Sequence, residues 1–381
     1  MIGYTCAYLR YYYPVEFITA YLNAAANDED ILMGTQLAKQ LGINMLSPKF
    51  GYSRSAYFCD AENKNIYKGI GSIKNLSEKA ADGIVPLYDK KYDDFIDLLF
   101  DIKETPTNSR MLDILIKISF FSDYSDINKL LSITQTFDAL YSKKSIKKDS
   151  PLITTYGESI IREYSQSETE THIDEIDIEA FKAHRGISAI EDCDKFKYVK
   201  NEDGSKDKVP NGISFTKLFK KYEVTEEERQ RFATKTVYGK FDNINIRGLL
   251  KHIFSTLEVK PCSVSEQIAY EKEYLGYIDY INPQLSKRIF VVTELNDKYS
   301  PKFNAYCLNN GKVVEMKVRK RRKPKDPKVK TSFYEKPFKD SDIIYLKSWG
   351  QEPKMKKVDD HWETDYSTMV NWMYDYDIVH L

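Results

Sequence analysis

The sequence predicts a multidomain α+β protein, with a helical region followed by a C-terminal β-barrel of the OB type. Three observations lead there. Apolar residues recur every three and four positions through the first part of the chain, the spacing of one helix face. After Pro283 the period switches to two, the spacing of half-buried strands. An acidic, polar stretch lies between the two regimes. The chain has 381 residues, more than one small core needs, so two or three domains are expected.

The elements follow in order. "FITAYLNAAANDEDILMGTQLAKQLGI" is helical, with Gly42 as a stop and Pro48 beyond it. "SAYFCDAENKNIYKGIG" is β-like, with Asn and Asp at its turn. Short helices then run to Leu140. In "NSRMLDILIKISFF", Met111, Leu112, Leu115, Ile116 and Phe120 make one apolar stripe, and Asn108 or Ser109 supplies the cap. "SQSETETHIDEIDIEA" is acidic and "KNEDGSKDKVPNG" is a loop or linker. Thr225 ahead of Glu226–Glu228 marks a capped helix start. The strand candidates are "RIFVVTEL", "KFNAYCL", "KVVEMKVRK" and "DIIYLKSWG", with "PKMKKV" as a possible fifth. Five short strands of this kind suggest a small OB-type barrel. The expected domains are residues 1–65, 66–140, 141–285 (an acidic linker and helical connector) and 286–381.

Composition excludes several classes. Hydrophobic residues are 42%, charged residues 30% and the formal net charge is zero. The chain is therefore globular rather than disordered, and it is not a uniformly basic DNA-coating protein. The five cysteines form no CxxC pair, so neither a zinc site nor a disulfide framework is indicated. No apolar run reaches the ~18 residues of a membrane span. A cytoplasmic protein with no membrane contact is expected.

"YKGIGSIKNLSEKAADGI" (Tyr67–Ile84) admits two chemistries. A dinucleotide loop needs GxGxxG inside a parallel βαβ unit, but Asn75 stands where the third glycine would be and further helices follow. A helical hairpin turning at Asn75–Ser77 fits better. Ser77 would cap the next helix, whose N-terminal N–H groups favour a phosphate. Lys74 and Lys79 flank the turn. Farther on, Gly311–Lys330 carries ten Lys/Arg against Glu315 and Asp326. Aromatic neighbours on both sides complete the recipe for a single-strand groove, although many of these aromatics are expected to be barrel core.

Several segments resemble the alpha subunit of bacterial DNA polymerase III, the C family of DNA polymerases. "AYLRYYYPVEFITAYLN" resembles its AYLK-x-x-YP-x-EF segment. "QLAKQLGINMLSPKFGYSRSAYF" resembles the stretch that follows. "IYKGIGSIKNLSEKAADGI" is similar to I-x-x-GL-x-AIK-x-VGE-x-A-x-x-I, and "NSRMLDILIKISFFSDY" to NKR-x-L-x-x-LIKAGAFD. "AYEKEYLGYIDYINP" is similar to the EKE-x-LG-x-Y that precedes the family's OB domain. The resemblance implies that residues 1–65 are the end of the polymerase fingers. It implies a tandem helix-hairpin-helix module gripping duplex DNA, and an OB domain near single-stranded template. Asn75-Leu76-Ser77 replace Gly-Val-Gly, and Ile118-Ser119 replace Ala-Gly.

The expected duplex contacts are Lys74, Asn75, Ser77, Lys79, Arg110 and Lys117. The expected single-strand contacts are Phe303, Tyr306, Arg319, Lys320, Arg321, Arg322, Lys323 and Trp349. No catalytic or metal-binding residue is assigned. The palm aspartates of the family lie upstream of the matched segments. The chain is thus expected to work with a palm-containing partner chain, as in a split replicase, and to lack polymerase activity alone. Mg²⁺ is expected only at that partner's palm. Asp174, Glu175, Asp177 and Glu179 are read as an acidic linker. "QTFDAL" and "QLSKRIF" are poor matches to the sliding-clamp motif, which leaves the clamp an open partner. The alternative function is a replication accessory that uses the same fold to dock a protein.

Overall fold

The computed structural model describes residues 2–76, 78–188, 195–201, 204–214, 222–322, 326–358 and 361–381. The chain divides into two compact units, Met1–Ser132 with Glu258–Leu381, and Ile133–Leu257.

In the first unit, the expected N-terminal helical stretch is three helices: Ile2–Tyr12, Pro14–Ala24 and Asp28–Gln40. Pro14 starts the second helix, where its missing N–H costs nothing. Val15, Ile18 and Leu22 bury one face against Ala38, Ile43 and Ile66. Strands β1 (Asn44–Leu46), β2 (Phe58–Asp60) and β3 (Asn65–Tyr67) form a small sheet in the order β1-β3-β2. Helices Glu78–Ile84, Phe95–Lys103 and Ser109–Lys117 follow. Asp94 and Asn108 cap the last two, each accepting a backbone N–H at 2.9 Å. Phe95, Leu115, Phe120 and Phe121 are buried between them.

The second unit differs from the expected linker. Strand β4 (Ser145–Lys147) and strand β5 (Ser167–Glu168) flank a later strand, and β6 (His172–Ile176) runs through the acidic stretch itself. Strands β7 (Lys195–Lys200), β8 (Lys206–Ser214) and β9 (Ala233–Val237) join β6 in the order β7-β8-β6-β9, while β10 (Lys240–Asp242) lies between β4 and β5. Asp177 caps the helix Ile178–Arg185 through Ala180 N–H at 3.0 Å. The Arg185 guanidinium donates to both Glu228 oxygens at 2.6 and 2.7 Å. Those bonds and the Thr225 cap hold the Glu228 carboxyl down at about 2. Thr225 and Glu228 form the capping box that the sequence announces.

The C-terminal strands are β11 (Ile289–Asn296), β12 (Lys302–Cys307), β13 (Val313–Val318), β14 (Ile343–Val358) and β15 (His361–Val379). They close in the order β11-β12-β13-β15-β14, with β14 returning to β11. All pairings are antiparallel except β13 with β15. The expected fifth strand, Pro353–Val358, is the outer part of β14; the actual fifth is the chain end. Phe290, Val292, Phe303, Ala305, Met316, Phe338, Met373 and Tyr376 fill the interior.

Candidate nucleic-acid interface

The first hairpin lies after β3. Ile70 N–H and Gly71 N–H donate to the carbonyls of Arg54 and Ser55 at 2.8 and 3.0 Å. A Cβ on Gly69 would sit 2.5 Å from the Ala56 carbonyl carbon, so this glycine serves a close backbone approach. The glycine segment therefore packs on protein and does not cradle a nucleotide. Asn75 turns the chain with φ of 67°, and Lys74, Asn75 and Lys79 are exposed around the turn. Ser77 lies outside the described residues. Asn pays less than most residues for the left-handed region. Asn75→Gly should leave stability nearly unchanged, whereas Asn75→Val should cost about 1–2 kcal/mol, read by thermal denaturation.

The second hairpin ends the helix Ser109–Lys117. Ser119 N–H bonds to Ile116 O and Phe120 N–H to Leu115 O, both at 3.0 Å. This is a Schellman ending, and Ser119 takes its left-handed position with φ of 62°. Both turns thus reverse through a left-handed residue other than glycine. Arg110 is exposed. Lys117 is half-buried, its ammonium 5.5 Å from the Tyr270 ring and 5.9 Å from that of Tyr274.

One helix, Val264–Tyr274, touches both turns. Tyr274 O accepts Lys74 N–H at 3.3 Å, and Gln267 Nε2 donates to Ser119 Oγ at 3.3 Å. Gln267 also donates to Glu271 Oε1 at 3.3 Å. Glu271 is only 4% exposed, and its Oε2 accepts the N–H groups of Asp279 and Tyr280 at 2.8 and 2.9 Å. Gly276, with φ of 81°, reverses the chain between donor and acceptor. Burial pushes the Glu271 carboxyl above its ordinary range, against the pull of those N–H groups. A carboxyl raised by folding contributes stability below its unfolded pKa and loses it as pH rises through the folded one. Glu271→Gln should flatten that loss above pH 4.5. Glu271→Ala strips two N–H groups of their acceptor and should cost about 2 kcal/mol by chemical denaturation.

The barrel corrects several expected strand contacts. Phe303 is 1% exposed in the barrel core and cannot stack on a base. Tyr306 points outward, but it packs with Ile268 of the bridging helix and with Tyr280. Arg319 is occupied too: its guanidinium lies 3.7 Å from the Trp372 ring centroid and donates to Glu352 at 3.0 Å. Lys320 donates to the carbonyls of Asp297 and Lys298 at 2.9 and 3.3 Å. Arg321 and Arg322 are exposed, and Trp349 is 52% exposed. Lys323 lies outside the described residues. Tyr334 is not among the expected contacts. It is 56% exposed, with Lys320 at 5.7 Å and Arg321 at 5.4 Å from its ring. Its place beside the basic segment in sequence is the only signal for it.

Of the four acids read as a linker, Asp177 and Glu179 have structural partners. Glu179 pairs with Lys182 at 3.3 Å, and of Asp174 and Glu175 only their place in β6 is described. Among the described residues no group of three or more His, Cys, Asp or Glu could hold a metal. In the two clamp-motif candidates, Phe137, Leu140 and Phe290 are buried. Among the described residues no helix is long and apolar enough to cross a membrane.

Comparison with known proteins agrees with this geometry. A family profile described as a helix-hairpin-helix motif matches residues 42–129, a span holding both turns. The DNA polymerase III subunit alpha of Campylobacter jejuni is 32% identical over 136 residues, 34% of this chain and 11% of that protein. That of Thermus aquaticus is 29% identical over 135 residues, 35% of this chain and 11% of its own. That of Staphylococcus epidermidis is 22% identical over 322 residues, 74% of this chain and 29% of its own. The chain thus spans less than a third of the length of these relatives. By the hairpin match and these identities, the chain is similar to part of the DNA polymerase III alpha subunit.

Proposed function

We propose that the chain serves DNA replication as the DNA-binding region of a polymerase of this kind. The two hairpins hold primer–template duplex through its phosphates, with Lys74, Lys79 and Arg110 as the exposed cations. The barrel, taken as an OB fold from its strand order, holds single-stranded template through Arg321, Arg322, Tyr334 and Trp349. One observation carries this: both turns, each made by a left-handed residue, Asn75 and Ser119, lie inside the matched hairpin segment. Phosphate contacts of this kind position DNA without reading its sequence. Polymerisation itself, with Mg²⁺, belongs to a palm, sought in a partner chain; a sliding clamp is a further candidate partner. The cytoplasm is the expected setting.

The test is fluorescence anisotropy on a primed template with a 5′ overhang, across a salt series. Affinity should fall steeply with salt and exceed that for blunt duplex. A second function, docking a protein, is favoured by the helix Ile2–Tyr12, where Tyr4 and Tyr11 are each 77% exposed. Absence of DNA binding at low salt would leave that function in place of the first.

A further inference from the structure

The second hairpin and the barrel are linked by an unbroken series of contacts. Ser119 Oγ accepts from Gln267, and Gln267 donates onward to Glu271. Glu271 holds Tyr280 N–H, and Tyr280 O accepts the Tyr306 hydroxyl of β12 at 3.4 Å. Apolar packing runs in parallel, with Ile268 and Val264 on one side of the bridging helix against Val291, Tyr306 and Leu308 of the barrel. Two further bonds tie the first hairpin to the same helix end: Lys74 N–H to Tyr274 O, and Lys68 Nζ to Leu275 O at 2.9 Å. One helix thus fixes three things at once: the first turn, the second turn and the outer wall of the barrel.

We propose that Gln267 and Glu271 are positioning residues that hold the hairpins and the barrel in one register, so that duplex and single strand bind cooperatively. This rests on the function proposed above. Neither residue touches DNA in this scheme; both act through Ser119 and Tyr280. The physical basis is pre-organisation. If the two surfaces are already spaced for a primer–template junction, a junction engages the second surface without ordering cost once the first is bound. A loosened helix returns that cost, and it appears only on a substrate that spans both surfaces.

The test compares three probes on the full chain by anisotropy: blunt duplex, an unstructured single strand, and a primed template with a 5′ overhang. Gln267→Ala should change affinity for duplex alone and for single strand alone by less than about twofold, and weaken the primed template by about five- to tenfold, within the usual range of coupling between sites. Glu271→Gln retains an acceptor for the backbone N–H groups and should retain most of the junction preference. Hydrogen exchange without DNA supplies a second readout: in Gln267→Ala, protection near Ser119 and near Tyr280 should fall together. If all three probes weaken equally, or the junction preference survives Gln267→Ala, the inference is overturned while the proposed function stands. If the unsubstituted protein binds none of the probes, the proposed function fails and the inference fails with it.

Discussion

Phe303→Ala should destabilise the protein by about 3–5 kcal/mol, the usual cost of emptying an aromatic site in a packed core. Phe303 lies 5.1 Å from Phe338, centroid to centroid, and is enclosed with Val292, Met316 and Tyr376. Neighbouring rings cannot collapse into the space without abandoning their edge-to-face contacts. The measurement is urea denaturation with a far-UV signal. The same variant distinguishes two roles. A stacking residue would lose strand affinity at unchanged stability, about 1–3 kcal/mol per base. A core residue loses stability first, and its strand affinity at low temperature, where the variant is still folded, should stay close to that of the unsubstituted chain.

Strand parity makes part of this visible in the sequence. Phe303, Ala305 and Cys307 share one side of β12 and all are buried, as period-two alternation requires. Tyr306 is legible as outward-facing. That it is covered is not, because the cover is the helix Val264–Tyr274, far upstream in the chain, and parity carries no information about a partner so distant. The helix Ser109–Lys117 is legible to its cap because stripe and Asn108 are both local. The hairpin turns are legible in place, though not in the conformation that Asn75 and Ser119 share.

The elements that the sequence hides have the opposite character. β15 is long, yet Asp375 and Asp377 interrupt its apolar pattern and make its end look like a surface segment. Lys336 and Lys347 both reach Asp377, and Thr331 donates to Asp375 at 2.7 Å. Those partners come from elsewhere in the chain, and so does β13, whose parallel pairing completes the ring. β6 is hidden for the same reason. Its acids read as a solvated linker until β8 and β9 are placed beside it. Ladder pairing is non-local, and no count of charges within the segment reveals it.

Replacing Arg321 and Arg322 together with alanine should weaken single-strand binding by roughly 25-fold at about 0.1 M salt and lower the salt slope by about 1.4, if each neutralises one phosphate. Both side chains are exposed, so their removal leaves the core untouched, and the melting temperature should not move. Arg319 behaves differently despite its place in the same basic run. Its guanidinium is held between Trp372 and Glu352, and Glu352 also accepts the Tyr374 hydroxyl at 3.0 Å. Arg319→Ala should therefore lower stability and leave the slope of the folded protein nearly unchanged. Tyr334→Ala completes the comparison: losing a stacking face lowers affinity at every salt concentration without altering the slope. An unchanged slope in the double variant would remove the basic segment from the strand-binding surface. A slope lost only through Arg319 would mean that the Glu352 pair opens on binding.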